Sequence, residues 1–409
     1  MGLQDTVSAE RLHIGFFGMR NAGKSSLVNA VTGQDLAVVS PVKGTTTDPV
    51  KKAMELLPLG PVVIIDTPGL DDEGSLGALR IKKAKQTLDK TDIAVLVVDA
   101  QKGPGREERE LIALFEEWKL PYVAAYNKAD LLQERKPLPE NGIYVSAVSG
   151  ENIRELKEKL GAISKADAET GSGGREKRIV TDLLSPGELV VLVVPVDESA
   201  PKGRLILPQQ QVMRELLDAH CLFAVCQHTE LRETLTALAV PPRLVVTDSQ
   251  VIEEVAAALP ADIALTSFSI LFARYRGDLN RLVQGAARLS TLRDGDRVLI
   301  SEGCTHHRQC GDIGTVKLPG WIEAYSGAKP DYAFTSGGEF PEQLEDFALI
   351  IHCGGCMLNE KEMKSRLERA ARAGVPVVNY GVAIAQMNGI LARSIAPLRE
   401  FIQSGLLEK

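Results

Sequence analysis

Short apolar runs alternate with amphipathic stretches along most of the chain. This alternation is typical of parallel strands joined by crossover helices, and it is clearest over residues 1–165. There the pattern predicts strands at 13–18, 62–66, 93–99, 122–127 and 143–146, with helices at 23–32, 76–90, 107–118 and 153–164.

A polar, glycine-rich stretch at 166–178 interrupts the alternation and is predicted to be a linker. The alternation resumes in two further blocks, of which the middle one carries no phosphate loop or group of metal ligands. The sequence therefore predicts an α/β protein of three domains, at 1–165, 179–264 and 265–409, the first built on a parallel sheet. In the last two, strands are predicted at 189–194, 222–226, 243–247, 297–301, 347–352 and 375–380, and helices at 208–219, 231–238, 251–259 and 360–373.

Composition narrows the class of protein. The chain has 409 residues, of which 44% are hydrophobic and 25% charged, as expected for a globular protein. No apolar run approaches the about 20 residues of a membrane span, and no leader segment is recognised, so neither membrane insertion nor secretion is expected. The net charge of −7 disfavours extended nucleic-acid binding. Six cysteines are too few for a disulfide scaffold, which favours a reducing cytoplasm.

The segment 18–25 (GMRNAGKS) matches G-x-x-x-x-G-K-S/T between a predicted strand and a predicted helix. In this motif, backbone N–H groups wrap the phosphates of a nucleotide at the start of the helix. Lys24 is predicted to reach the β- and γ-phosphates, and the Ser25 hydroxyl to ligate Mg²⁺. The predicted phosphate-binding residues are Gly18, Asn21, Ala22, Gly23, Lys24, Ser25 and Ser26.

Two further segments have the order and chemistry of a γ-phosphate sensor. Asp66 ends the strand predicted at 62–66 and is expected to hold Mg²⁺ through water, while the N–H of Gly69 is expected to sense the γ-phosphate. Between the phosphate loop and Asp66, the segment 44–48 supplies a threonine that completes the Mg²⁺ shell; Thr46 is preferred and Thr45 is the alternative. Lys24, Asp66, Gly69 and Thr46 are the predicted catalytic residues.

The base is predicted to be guanine. Asn127, Lys128 and Asp130 lie in a single segment at the end of the strand predicted at 122–127. A carboxylate at Asp130 accepts hydrogen bonds from both N1–H and the 2-amino group of guanine, whereas adenine offers neither donor in that arrangement. Ser146 and Ala147 are predicted to close the base pocket through their backbone. The expected ligands are therefore GTP and GDP with Mg²⁺.

Over about residues 11–165 these motifs resemble the translation-factor-like GTPases of the Era and TrmE type. Leu70 stands where Ras-like enzymes place a water-orienting glutamine, so the resemblance implies slow intrinsic hydrolysis. Asn21 matches the asparagine that ligates K⁺ in the potassium-activated branch, which implies stimulation by K⁺. A solvent-facing loop residue is the alternative interpretation of Asn21.

Cysteines and histidines gather in the third block. Cys304 and His306 follow the strand predicted at 297–301, and His352, Cys353 and Cys356 end or follow the one predicted at 347–352. Because ligands bind beyond the carboxyl ends of parallel strands, the two loops are expected to converge on a metal. Structural zinc, an iron–sulfur cluster with one non-cysteine ligand, and a redox pair of buried thiols are all compatible with this set.

The spacing of these cysteines, behind a GTPase domain and a middle block, resembles the HydF family of FeFe-hydrogenase maturation GTPases over the whole chain. The resemblance implies that 179–264 is a dimerisation domain and 265–409 a cluster-binding domain. It also implies a 4Fe–4S cluster held by Cys304, Cys353 and Cys356, with a labile fourth position. His306 is the favoured exchangeable ligand, and His352 is the alternative.

The same resemblance implies a carrier of the diiron precursor that bears CO and CN⁻. The precursor would be assembled with the radical-SAM maturases HydE and HydG and passed to the apo-hydrogenase HydA, while the bound nucleotide acts as a switch. An RNA-associated GTPase of the Era/TrmE type with a structural zinc domain is the rival, although no basic or aromatic RNA-reading module is recognised at 265–409. A redox sensor using Cys353 and Cys356 is the third hypothesis.

Overall fold

The computed structural model describes residues 11–19, 21–34, 50–67, 87–170, 177–196, 205–303, 313–337, 339–355 and 358–402. The chain divides into two compact units, Met1–Glu176 and Lys177–Lys409. The α/β class predicted from the sequence is confirmed in both units, since each contains strands paired in parallel and helices between them.

The first unit contains a six-stranded sheet of order β2-β3-β1-β4-β5-β6. All neighbouring strands run parallel except β2, which pairs antiparallel with β3. Its strands are β1 (Leu12–Gly18), β2 (Val50–Leu56), β3 (Gly60–Asp66), β4 (Ile93–Asp99), β5 (Tyr122–Asn127) and β6 (Gly142–Tyr144), and its helices are α1 (Lys24–Thr32), α2 (Arg106–Glu117) and α3 (Ile153–Thr170).

Burial on both faces explains why the central strands were predictable. Every residue of β4 is buried, and its side chains alternate between two apolar clusters, with Val95 and Val97 in one and Leu96 and Val98 in the other. Strands covered on both faces carry continuous apolar runs. The edge strand β2 reads VKKAMEL and is largely exposed, so it has no such run and was not predicted.

Helix α3 extends beyond its predicted end at 164 and reaches Thr170. Its last turns contain alanine, lysine and glutamate, which favour helix formation without adding apolar positions. A hydrophobic pattern alone therefore ends the helix too early.

The second unit contains two four-stranded sheets, in which all neighbouring strands run parallel, with orders β10-β9-β7-β8 and β12-β11-β13-β14. One continuous cluster of buried apolar residues packs both sheets. The strands are β7 (Leu189–Val193), β8 (Leu222–Cys226), β9 (Leu244–Thr247), β10 (Ala264–Ser267), β11 (Arg297–Glu302), β12 (Asp331–Ser336), β13 (Leu349–His352) and β14 (Val377–Asn379).

The helices of this unit are α4 (Leu207–Asp218), α5 (Leu231–Ala237), α6 (Ile252–Ala258), α7 (Phe268–Arg276), α8 (Leu279–Ala286), α9 (Leu318–Ser326), α10 (Glu360–Arg372), α11 (Tyr380–Met387) and α12 (Leu391–Ile395). Helices α7, α8, α9, α11 and α12 and strands β10 and β12 were not predicted. In α11, Tyr380 to Ala385 are all buried, so the helix lacks the polar face on which a periodic pattern depends. Strand β10 pairs with β9, and the predicted domain boundary at 264/265 stays a prediction.

Within the described ranges, no helix combines the length and the apolar character that a transmembrane span requires.

Candidate functional site

The phosphate loop joins β1 to α1 in the first unit. Gly23 immediately precedes α1 and has φ 84°, a left-handed conformation that glycine adopts without strain. Asn21, at φ 64°, is exposed and left-handed as well. A Cβ atom on Gly23 would lie 2.3 Å from Asn127 Nδ2, so the second glycine of the motif is required for close packing as well as for backbone shape.

One basic and one acidic side chain of the predicted phosphate site lie close to each other. Lys24 Nζ lies 3.3 Å from Asp66 Oδ1, and both side chains are largely buried. Apart from this ion pair with Lys24 of the phosphate loop, the buried Asp66 Oδ1 accepts no hydrogen bond from the described residues. Such an oxygen fits a hydrated Mg²⁺, and Ser25, half-buried at the start of α1, is the neighbouring candidate ligand.

Thr67 anchors the end of β3. Its Oγ1 donates to the carbonyl of Phe16 at 2.6 Å, which ties the segment after Asp66 to β1. Gly69, Leu70, Thr45 and Thr46 lie outside the described residues, so their predicted roles stay predictions.

Asn127 connects the base-recognition segment to the phosphate loop. Its Nδ2 donates to the carbonyls of Ala22 at 3.0 Å and Gly23 at 3.4 Å, and its Oδ1 accepts the N–H of Ala147 at 3.0 Å. The side chain is 2% exposed. One amide therefore fixes two loops against each other, a contact between distant segments that residue spacing does not reveal.

Lys128 is held beside the same site by an ion pair. Its Nζ lies 2.6 Å from Asp99 Oδ2 at the end of β4. Partial burial by itself raises the pKa of Asp99, but the hydrogen bonds from Lys128 and from the N–H of Gln101 outweigh it and lower that pKa. Asp130 lies in the short turn Ala129–Leu131 and is exposed to solvent, so its carboxylate is accessible to a base.

The loop after β6 is built on Ser146. This residue is fully buried, its N–H donates to the carbonyl of Glu151 at 3.1 Å, and its Oγ accepts the N–H of Ser149 at 3.1 Å. Ala147 follows with its N–H on Asn127. The loops after β1, β3, β5 and β6 thus gather at the carboxyl edge of one sheet, where α/β folds bind ligands. The base contacts predicted for Ser146 and Ala147 stay predictions.

A second candidate site lies at the carboxyl ends of β11 and β13. The N–H of Cys353 donates to the carbonyl of Ser301 at 3.0 Å. The sulfur of Cys353 accepts the N–H of Gly303 at 3.0 Å and that of Gly355 at 3.4 Å. Gly303 directly precedes Cys304, so the thiol of Cys353 lies against the start of the other cysteine-bearing segment.

These contacts suit a sulfur ligand of a metal. Backbone N–H groups directed at a cysteine sulfur stabilise its anionic form, and such hydrogen bonds are typical around iron–sulfur clusters. Cys304, His306 and Cys356 lie outside the described residues. Over the part of the chain that is described, no group of three His, Cys, Asp or Glu side chains could hold a metal ion.

His352 is 2% exposed and both of its ring nitrogens have partners. Nε2 lies 3.0 Å from Arg366 Nη1, and Nδ1 lies 2.8 Å from the carbonyl oxygen of Cys353. Sequence reasoning named His352 as a candidate ligand and missed Arg366, which lies on α10 with no motif around it. A buried arginine inside an otherwise charged helix pattern carries no signal in the sequence.

The remaining thiols of the described residues are isolated in the core. Cys221 and Cys226 are buried near β8. Burial raises the pKa of each thiol, and Glu188 adds to the effect at Cys221. Both therefore have the low reactivity of structural cysteines.

Three family models match the chain. A 50S ribosome-binding GTPase domain matches residues 13–128, a hydrogen maturase F dimerization domain matches 179–277, and a hydrogen maturase F tetramerization domain matches 280–397. The three matches follow one another without overlap. The first places a GTPase domain on the unit that carries the phosphate loop.

Curated relatives match the GTPase part. The tRNA modification GTPase MnmE of Thiobacillus denitrificans is 35% identical over 161 residues, covering 38% of this chain and 35% of that protein. The MnmE of Zymomonas mobilis is 36% identical over 156 residues, covering 38% and 33%. The matched part therefore spans about a third of the length of these relatives. Among solved structures, the G domain of T. maritima FeoB is 25% identical with a TM-score of 0.28, covering 38% of this chain and 99% of that one.

Proposed function

Because the chain belongs to the hydrogen maturase F family, we propose that it is a GTP-hydrolysing carrier that holds a 4Fe–4S cluster and delivers a diiron precursor to apo FeFe-hydrogenase. One observation carries the proposal. The sulfur of Cys353 accepts the N–H of Gly303, the residue next to Cys304, although the two cysteines are far apart in the sequence. Two cysteine-bearing segments therefore meet at one sheet edge, as a shared cluster requires.

The N-terminal GTPase domain binds GTP or GDP with Mg²⁺, and we assign the contacts to the residues that line the loops described above. Lys24 neutralises phosphate charge, Ser25 and Thr46 ligate the ion, and Asp66 holds it through water. The γ-phosphate would order the threonine segment and the N–H of Gly69, and hydrolysis would release them. The nucleotide then acts as a switch for partner association.

Slow hydrolysis and stimulation by K⁺ belong to the proposal. Asn21 is exposed at the phosphate loop, where its side-chain oxygen is accessible to a cation. Rates of GTP hydrolysis in equimolar KCl and NaCl test this, with Asn21→Ala as the variant and Asn152→Ala as a matched control away from the phosphates. We expect wild type and the control to hydrolyse GTP faster in KCl than in NaCl, and Asn21→Ala to hydrolyse it at the same rate in both salts. Equal rates in the two salts for wild type contradict the K⁺ role.

In the second unit, Cys304, Cys353 and Cys356 would hold three irons of the cluster. The cluster supplies an iron with one exchangeable position, and His306 is the favoured side chain there. The chain's own contribution is to direct N–H groups at Cys353 and to leave the fourth position without a fourth thiolate. A carrier needs such a position, because four thiolates would saturate the cluster.

The diiron precursor with its CO and CN⁻ groups would be the cargo, received with the maturases HydE and HydG and released to HydA. The cytoplasmic setting predicted from the cysteine content stays a prediction. The dimerization and tetramerization domains support oligomer formation. A homodimer through the middle domain is proposed because β8 is an edge strand that exposes Leu222 and Val225, at 59% and 46%.

Anaerobic reconstitution with iron and sulfide tests the cluster. We expect about four irons and four sulfides per chain in wild type, the content of a 4Fe–4S cluster, and loss of both in Cys353→Ser. Cys226→Ser is the matched control, since Cys226 is a buried thiol of the same unit away from the site. Zinc without sulfide would instead support the RNA-associated GTPase, and metal-free reactive thiols would support the redox sensor.

A further inference from the structure

We infer that two buried arginines, Arg276 and Arg366, are positioning residues that hold the cysteine loop (residues 352–355) in the conformation that presents Cys353, and that they keep His352 from acting as a ligand. This inference rests on the proposed cluster binding by Cys353. Neither arginine belongs to a recognised motif, and each is 3% exposed. Burying a guanidinium is costly, and hydrogen bonds to acceptors offset part of that cost.

Arg366 sets the tautomer of His352. A guanidinium has no acceptor, so the contact of 3.0 Å from Arg366 Nη1 to His352 Nε2 requires a lone pair on Nε2. The proton of the neutral ring then lies on Nδ1, which donates to the carbonyl of Cys353 at 2.8 Å. Metal ligation needs a free lone pair, and the only one on the ring faces Arg366. His352 therefore orients the backbone of Cys353 and does not serve as a ligand.

Contacts from its own helix and from two other parts of the chain fix Arg366 itself. Its Nη2 donates to the carbonyl of Gly337 at 2.7 Å and to Glu362 Oε1 at 3.0 Å, and its Nη1 lies 3.3 Å from Ser301 Oγ. Its guanidinium also lies over the ring of Phe340. Because these contacts come from β11, from the segment after β12 and from α10 itself, the guanidinium is a fixed reference for the loop. Turning His352 toward a metal would leave a buried N–H without its acceptor, which is costly.

Arg276, at the end of α7, holds the other end of the loop. Its Nη1 donates to the carbonyls of Gly355 and Leu358, both at 3.1 Å. Gly355 has φ 62° and gives its own N–H to the sulfur of Cys353. Arg276 therefore binds the carbonyl of the same left-handed residue whose N–H donates to the sulfur, and so stabilises the turn. Both guanidiniums also place permanent positive charge beside a loop whose sulfur is anionic when it binds metal.

The test compares two variants with a matched control. Arg276→Met removes one guanidinium, and Arg366→Met combined with Glu362→Gln removes the other without stranding a buried carboxylate. Arg369→Met is the control, because Arg369 lies on the same helix and over the same Phe340 ring. Its Nη2 donates to the carbonyl of Pro341, away from the cysteine loop. Thermal unfolding of each metal-free chain identifies any variant that does not fold.

The first readout is the rate at which a chelator removes iron from the reconstituted chain. Loss of a group that orients a metal ligand costs about 10–100-fold in metal affinity, so release is expected to be faster by a similar factor in both arginine variants. The control is expected to stay within about twofold of wild type. Release rates in the folded arginine variants that equal the control overturn the inference. Failure of wild type to bind iron refutes the proposed function instead.

Two spectroscopic readouts separate positioning from general destabilisation. In the metal-free wild type, ¹⁵N NMR of labelled histidine is expected to show His352 protonated on Nδ1, assigned by its loss in His352→Asn. Pulsed EPR of the reduced cluster is expected to give the same nitrogen couplings in wild type and His352→Asn. The Arg366→Met/Glu362→Gln variant is expected to gain a nitrogen coupling from His352. A coupling in wild type that disappears in His352→Asn, or an Nε2-protonated His352, overturns the inference; the NMR result needs no iron.

Discussion

Replacing Asn127 by alanine is expected to weaken GDP and GTP binding by about 30- to 1,000-fold. The substitution removes the amide that joins the phosphate loop to the loop of Ala147. It leaves the carbonyl of Ala22 and the N–H of Ala147 without their partner in a buried site. Each such loss costs about 1–3 kcal/mol. The two losses share one amide and are not fully additive, so we take about 2–4 kcal/mol in total; at about 1.4 kcal/mol per factor of ten this corresponds to the stated range.

Asn127→Asp is the sharper test of the same reasoning. The aspartate keeps the size of the side chain and an oxygen that accepts the N–H of Ala147. It also places an oxygen where Nδ2 stood, 3.0 Å from the carbonyl of Ala22 and 3.4 Å from that of Gly23. Two acceptors then face each other in place of a donor and its acceptors. We expect Asn127→Asp to bind nucleotide no better than Asn127→Ala.

The assay is an equilibrium titration with a fluorescent GDP analogue at fixed Mg²⁺ and salt, beside thermal unfolding of the nucleotide-free chain. Asn152→Ala is the control, because Asn152 Nδ2 also donates to a carbonyl, that of Tyr144 at 2.8 Å, in the loop after β6. Its affinity for nucleotide is expected to equal that of wild type. Binding by Asn127→Asp close to the wild-type level would refute the assignment of the Nδ2 contacts as the link between the two loops.

Further substitutions probe other parts of the chain. Gly23→Ala is expected to lower the melting temperature and the nucleotide affinity more than Gly33→Ala does. Both glycines have positive φ, but of the two only Gly23 has an atom within 4 Å of an added Cβ, so equal effects of the two substitutions would argue against the clash. The pKa of Asp99 is lowered, so its contribution to the free energy of unfolding is present above the ordinary pKa of 3.8 and is lost as the pH falls below that value. In urea unfolding between pH 3 and 6, the free energy of unfolding should therefore fall less steeply with decreasing pH in Asp99→Asn than in wild type. Asp130→Asn should lose GTP and gain XTP in competition titrations, since the amide donates where the carboxylate accepted; unchanged preference would exclude Asp130 from base recognition. Burial raises the pKa of Cys226, so iodoacetamide at pH 8 should label it only after unfolding, as mass spectrometry of the native and denatured chain would show.

Local patterns determined the α/β class and the central strands. The strand β4 and its neighbours were predictable because burial on both faces leaves continuous apolar runs, and the phosphate loop was predictable because its glycines and lysine are consecutive in the chain. Periodicity failed where burial is uniform, as in α11, or where exposure is high, as in β2. A pattern read along the chain responds only to a difference between two faces.

The contacts that organise both candidate sites were decided by the tertiary structure. Asn127 contacts the phosphate loop, which lies more than a hundred residues away in the sequence, and Arg366 of helix α10 contacts His352 at the end of β13. The sequence presented His352 as a possible ligand because histidine beside cysteine is typical of metal sites. Only the tertiary structure showed that Arg366 lies against the ring nitrogen of His352 that would bind a metal. Which donor meets which acceptor depends on how distant segments pack, and the spacing of residues in the sequence does not reveal it.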